Sequence, residues 1–307
     1  NYKEIIKLIN QSKKVKVSID IPSGINGNTG EINGIAVKSN TTLVMGFLKP
    51  AHFLLPAKIL CGEVILLNLG LSIPKKCIPE IHLITPSYFK KNLPKYDLNV
   101  HKYTKGHTMV IGGKMSGASR LVALSSRKIG CGLSTISVEK RSMKFYSGIE
   151  PGTILKELNL QNLNEKIDVL VIGPGLGKNF SRQKILQMIK VFSGPIIIDA
   201  DAISVFQKDK KEFYNVLKSK NNIILTPHEG EFKRFFNLMS VDKVSRCLEA
   251  SRMISNVVIL KGNDSVIAFP DGKVWINNNA RISLATAGSG DILCGIIAGF
   301  LAQKMKF

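Results

Sequence analysis

From residue 107 onward the chain repeatedly runs through short apolar stretches that stop at glycine or at a residue able to bind. "HTMVIGG", "DVLVIGPGLG", "PIIIDADAI", "NIILTPHEGEF" and "VVILKG" all follow this rule. Their interiors are apolar at successive positions rather than at alternate ones, so both faces of each strand must be buried. Helical stretches lie between them, among them "GASRLVALSSRKIG", closed by Gly130, and residues 181–191. Strands of this kind alternating with helices leave few solutions. The expected fold is α/β, a mainly parallel sheet covered by helices on both faces. "LSTISVE" adds a further strand, and "SVIAFPDGKVWIN" reads as a hairpin with an Asp-Gly turn. Sheets of this type bind ligands beyond the C-terminal ends of their strands. That is where the glycines and polar residues collect.

The beginning of the chain has a different texture. A charged helix precedes "VKVSIDIPSG", "TTLVMGF" and "GEVILLNLGL", three short apolar strands. We read residues 1–85 as a partial Rossmann-like α/β segment and residues 101–307 as the main domain. Between Ser72 and Val100 come Pro74, Pro79, Pro86 and Pro94 with mixed charge and no sustained period, and residues 86–100 are assigned as linker. The chain starts at Asn1 rather than at methionine and stops soon after a helix, so both ends are expected to be cut.

Composition narrows the function. Hydrophobic residues make up 44% of the 307 and charged residues 21%, and no apolar run reaches the roughly 20 residues of a membrane span. The net charge of +21 would ordinarily raise nucleic-acid binding. Here the excess is scattered lysine, arginine is scarce, and six Tyr and one Trp leave little for base stacking. A lysine-rich solvated surface that steers small anions is the better reading, with neither nucleic acid nor membrane as partner. The cysteines, Cys61, Cys77, Cys131, Cys247 and Cys294, are odd in number and show no C-x-x-C spacing. Reduced thiols in a cytoplasmic protein follow, and no zinc site.

The stretch "LATAGSGDILCGIIAGFLAQ", residues 284–303, poses the sharpest question: glycines lead to one aspartate, and a charge-free helix follows. Asp291 is either a plain N-terminal cap or a proton acceptor beside an anion held on the N–H groups of Gly288 to Gly290. Taken singly, the other motifs are equally open. "GPGLG" lacks dinucleotide-fingerprint spacing, His228 suits a helix cap, Lys261 suits a surface lysine, and Asp199 and Asp201 suit a turn. Together, successive strands end in groups fit for phosphate, hydroxyl or carboxylate.

In order, "HKYTKGHTMVIGG", "GPGLG", "IIIDADAI", "LTPHEGEF", "ILKGNDSVI" and "LATAGSGDILCGIIAGFLAQ" resemble the ADP- or ATP-dependent NAD(P)H-hydrate dehydratases, enzymes of ribokinase-like fold. "SIDIPSGINGNTG", "GFLKP" and "CGEVILLNLGL" resemble the C-terminal part of the NAD(P)H-hydrate epimerase domain fused upstream in bifunctional repair enzymes. One departure is "ARIS", residues 280–283, where many relatives carry Gly-Asn-x-Gly. The epimerase phosphate loop would lie upstream of Asn1, and the last dehydratase helices beyond Phe307.

The resemblance implies a reaction: nucleotide-dependent dehydration of the S epimer of NAD(P)H hydrate, a carbon–oxygen lyase activity releasing AMP or ADP and phosphate. Asp291 would accept the substrate hydroxyl's proton, kept ionised by the helix dipole. Ala118, Gly175, Gly177 and His228, with Asp291, match positions that contact the hydrated cofactor. Lys261, Gly262, Asn263, Asp264 and Ser265, with Gly288 and Gly290, match the adenine-nucleotide site, which takes ADP or ATP with Mg2+. In the epimerase part, Asp20 matches a substrate contact and Ser23 a ligand of K+. Epimerase activity is expected of the full fusion and not of residues 1–85 alone, and a homo-oligomer is expected. A vitamin-precursor or sugar kinase of the same fold, and a non-catalytic nucleotide binder, share the Asp291 loop and stand as rivals.

Overall fold

The computed structural model describes residues 1–73, 80–96, 98–238 and 242–306. Cys77, Pro74 and Pro79 lie outside the described residues. The strands, in chain order, are β1 (Val17–Ile19), β2 (Thr41–Met45), β3 (Glu63–Leu67), β4 (Ile81–Leu83), β5 (His107–Gly112), β6 (Leu133–Val138), β7 (Thr153–Glu157), β8 (Val169–Ile172), β9 (Ile196–Ile198), β10 (Ile223–Leu225), β11 (Val257–Leu260), β12 (Val266–Ala268) and β13 (Val274–Ile276). The α-helices are α1 (Tyr2–Gln11), α2 (Ala57–Cys61), α3 (Pro86–Lys90), α4 (Ser116–Lys128), α5 (Arg182–Val191), α6 (Asp201–Ser204), α7 (Lys211–Lys218), α8 (Glu229–Phe236), α9 (Lys243–Ile254) and α10 (Ser289–Ala302).

Ten strands form one sheet in the order β4-β13-β12-β11-β10-β9-β8-β5-β6-β7. From β11 through β7 every pairing is parallel, and only the β11–β12–β13 meander is antiparallel. The unbroken apolar runs are explained by this arrangement, since β5, β8, β9 and β10 are buried at every residue. Successive side chains serve opposite layers. Met109 and Ile111 join the core made with α5, α7, α8 and α9, whereas Val110 faces the core made with α4 and α10.

α10 carries no charge after Asp291 because it lies close against α4. A Cβ at Gly295 would stand 1.9 Å from Ser125 Oγ and 2.3 Å from the Val122 carbonyl oxygen. Backbone occupies that space, so no rotamer change relieves the clash. Gly295→Ala should therefore cost about 1–3 kcal/mol, read as a lowered Tm. A variant as stable as the parent would show that the two helices separate readily.

A second, three-stranded parallel sheet, β1-β2-β3, is built by the N-terminal residues. Its boundary differs from the expected one at residue 85. Ile81–Leu83 pairs with β13 of the large sheet, Val274 opposite Ile81, because that hairpin's outer strand offers a parallel ladder. Within the span assigned as linker, Pro86–Lys90 is helical, and Tyr88 packs on Trp275 with ring centroids 4.3 Å apart.

The two sheets meet at a definite joint. Leu54 is fully buried in the core shared with α5 and α7 to α9. The Leu55 N–H donates to Asp264 Oδ2 at 2.9 Å, and Lys243 Nζ lies 2.6 Å from Asp264 Oδ1. On its rim, the Lys58 ammonium donates to Asn263 Oδ1 at 3.1 Å.

Candidate active site

The loop before α10 ends at Gly288, which is the helix N-cap with φ of +87°. No side chain caps this helix, so its first N–H groups keep their capacity for an anion. Gly288 meets two demands: left-handed backbone, and room for Leu121, whose Cδ1 would lie 2.6 Å from a Cβ. Asp291 is the third residue of the helix and not its cap. The choice left open by the sequence is narrowed accordingly, because the cap position belongs to a glycine.

The expected effect of the dipole on Asp291 needs correction. Its pKa is raised above the usual carboxylate value, first by burial and then by the nearby Asp199 carboxylate, with Lys261 pulling the other way. Desolvation and a like charge act against ionisation of this carboxyl.

Beneath Asp291 sits a compact ionic group. Lys261, just past the end of β11, places Nζ 2.7 Å from Oδ1 of Asp199, just past the end of β9. The Cys294 thiol, one turn along α10 from Gly290, donates to Asp199 Oδ2 at 3.1 Å. Asp199 is only 2% exposed and Cys294 is fully buried. Burial alone would lower the Lys261 pKa, but the Asp199 carboxylate reverses that and the net shift is upward. The same ammonium lies 3.3 Å from where a Gly290 Cβ would stand, so the cation is held at the mouth of α10.

The remaining residues fall into two neighbourhoods on the strand ends. Gly175 crosses the start of α4, its carbonyl accepting from the Met115 N–H at 3.2 Å, and a Cβ on it would be 3.1 Å from the Ala118 methyl. The Gly177 N–H donates to Asp201 Oδ2 at 2.8 Å. Beside Gly177 opens a cleft of about 220 Å³ whose wall includes Lys114, Lys178 and the Arg141–Glu139 ion pair. His228 lies in a parallel bridge with Lys261 and caps α8: its Nδ1 accepts from the Gly230 N–H at 3.0 Å while Glu231 accepts from the His228 N–H. With Nδ1 accepting, the neutral ring carries its proton on Nε2.

In the 262–265 turn, the Ser265 hydroxyl accepts from the Gly262 N–H at 3.0 Å. Asp264 turns inward to Lys243 and Leu55 and so holds the turn in place. Asp20 and Ser23 lie apart, in the small sheet. Asp20, at φ of +67°, is paired with Lys49 at 2.7 Å, and that hydrogen bond holds its carboxyl below the usual value. Ser23 is exposed, and its carbonyl accepts from the Val37 N–H. Cys294, Lys243 and Leu55 complete the site without having been read as site residues, and Asp199, which suited a turn, joins them; their partners are distant in sequence, and no local spacing announces them.

Uncapped helix N–H groups, a half-buried carboxylate and a paired lysine thus stand together at the strand ends of a mainly parallel α/β sheet. The chain belongs to the NAD(P)H-hydrate dehydratase family, whose model matches residues 108–307. A second model, the YjeF-related protein N-terminus, matches residues 1–51. Among curated relatives, the bifunctional NAD(P)H-hydrate repair enzyme Nnr of Coxiella burnetii is 31% identical over 99% of this chain and 64% of its own length. Among solved structures, the ADP/ATP-dependent NAD(P)H-hydrate dehydratase of Bacillus subtilis, co-crystallised with ATP and Mg2+, is 28% identical with a TM-score of 0.59, covering 72% of this chain and 81% of that one. A ribokinase-like protein of Enterococcus faecalis, 22% identical with a TM-score of 0.61 over 75% of this chain and 83% of its own, shares the fold. The chain spans 61–64% of the length of the repair enzymes of Coxiella, Moorella and Synechocystis.

Proposed function

We propose that this chain catalyses nucleotide-dependent dehydration of the S epimer of NAD(P)H hydrate, yielding NAD(P)H, phosphate and AMP or ADP. The observation that carries this reading is the uncapped start of α10, with Asp291 in its first turn and Lys261 at its mouth. Hydroxide is a poor leaving group. The terminal phosphoryl of ADP or ATP is transferred to the substrate hydroxyl oxygen as Asp291 takes the proton, and the bond to the nucleotide's bridging oxygen breaks. The ring nitrogen's lone pair then expels phosphate from carbon, and loss of a ring proton completes the dihydropyridine. Transfer of this kind depends on positioning and charge neutralisation, which the helix N–H groups and Lys261 supply. Mg2+ would enter with the nucleotide's phosphates; the described residues gather no cluster of three or more His, Cys, Asp or Glu for a separate ion.

Family membership, the relatives' printed activities and the geometry around Asp291 all support this reading. The cytoplasmic location and homo-oligomeric state expected from the sequence belong to the proposal. No helix among the described residues is long and apolar enough to cross a membrane. Supplying hydrated NADH and ADP should return NADH absorbance in step with phosphate release. Accumulation of a phosphorylated product without free phosphate would instead identify a kinase.

His228 offers a finer check, because cap and substrate contact are separable. His228→Ala should lose about 1 kcal/mol from the lost cap and raise KM for the hydrate several-fold, with nucleotide KM unchanged. His228→Asn should recover most of the stability but not the KM. Full recovery of both would leave His228 a cap alone.

A further inference from the structure

We infer that Asp199, which opens onto no substrate surface, is a positioning residue of this reaction: it holds the Lys261 ammonium against the glycine cradle of α10, beside Asp291. The inference rests on Asp291 acting as the proton acceptor.

The geometry is specific. Asp199 Oδ1 takes Lys261 at 2.7 Å and Oδ2 takes the Cys294 thiol at 3.1 Å, so both carboxylate oxygens are used. These partners come from the ends of β11 and from α10, the two elements that bear the lysine and the proton acceptor. Thr226, just past β10, closes the group, its hydroxyl 3.6 Å from Cys294 Sγ. One carboxylate at 2% exposure therefore ties the ends of β9 and β11 to the catalytic helix, and Cys294 brings in the end of β10. A lysine without such a tether would sample many rotamers, and the cradle would lose its fixed cation.

The arrangement also sets opposing charges around Asp291. Asp199 favours its protonated form and Lys261 its carboxylate, and burial adds to the former. Lys261 in turn feels the carboxylates of Asp199 and Glu231. Cys294 is itself held protonated, its pKa raised by burial and then by Asp199. The ion pair thus works as a nearly neutral unit, and removing either member alone should move Asp291 in a predictable direction.

The test is the acid limb of the pH profile of kcat/KM. Asp199→Asn removes the charge that resists ionisation and leaves Lys261, so the limb should shift to lower pH by on the order of one unit. The same variant should lower kcat about tenfold or more through the loosened lysine. Lys261→Met leaves Asp199 alone, and the limb should shift to higher pH by a similar amount. The double variant, neutral again, should return the limb to near the parent position with kcat still depressed. Shifts in the same direction, or no shift in the single variants, would overturn the inference. Should Asp199→Asn fail to fold, Lys261→Met against the double variant still decides. Turnover by the parent and its loss in Asp291→Asn test the underlying reading separately.

Discussion

Replacing Asp291 by asparagine should lower turnover by a hundredfold or more, with nucleotide affinity retained. The amide keeps the side chain's shape in the first turn of α10 and cannot accept the proton. Phosphoryl transfer would then have to proceed from a neutral hydroxyl, or with water as a poorly placed base. The parent enzyme's pH dependence follows from the same group. A base works only when ionised, and the Asp291 pKa is raised by burial and by Asp199. Activity should therefore fall away, as pH drops, at a higher pH than an ordinary aspartate would give. Near-normal turnover in Asp291→Asn, measured with hydrated NADH and ADP, would remove Asp291 from the chemistry and reduce it to a packing residue.

The joint between the sheets carries the largest expected effect on stability. Asp264 is 3% exposed and satisfies both Lys243 and the Leu55 N–H. Alanine there leaves a mostly buried ammonium and a part-buried backbone donor without their carboxylate, which costs about 3 kcal/mol. The loss falls on the contact between β1-β2-β3 and the large sheet, so it should also change how the protein melts. The parent should show one cooperative transition, and Asp264→Ala two, the N-terminal residues unfolding first. Calorimetry with proteolysis of the early product distinguishes these outcomes. A single transition at the parent's temperature in Asp264→Ala would mean that Leu54 and its apolar neighbours hold the units together unaided.

How much of this was legible in the sequence depended on whether the signal was local. β5, β8, β9 and β10 were readable because burial on both faces removes polar residues from the run. The Asp-Gly hairpin and the start of α10 were readable from turn chemistry. β7 was not: its sequence, "TILKE", lies on a sheet edge with mixed exposure and charged residues, and its apolar content is too low to stand out. β4 escaped because its three residues become a strand only through the ladder offered by β13. At the site, Gly288, Gly290 and Asp291 stood out by their spacing, whereas Lys261 taken singly suited a surface lysine and entered through the resemblance alone. Asp199 looked like a turn residue because its partners lie 62 and 95 positions away. Asp264 sat in a motif that pointed to nucleotide, and only the fold shows its carboxylate turned towards Lys243 and Leu55.

The glycine seam between α10 and α4 divides the site by its tolerance of change. Behind Asp291 the seam admits nothing larger than a hydrogen at Gly295, so the carboxylate is fixed from within the core. Ahead of it, residues 281–287 are exposed. Selection can therefore rewrite the approach to the site while the Asp291 carboxylate stays where it is. The "ARIS" stretch at residues 280–283 lies on this replaceable side, where divergence alters what is admitted before it alters what is done.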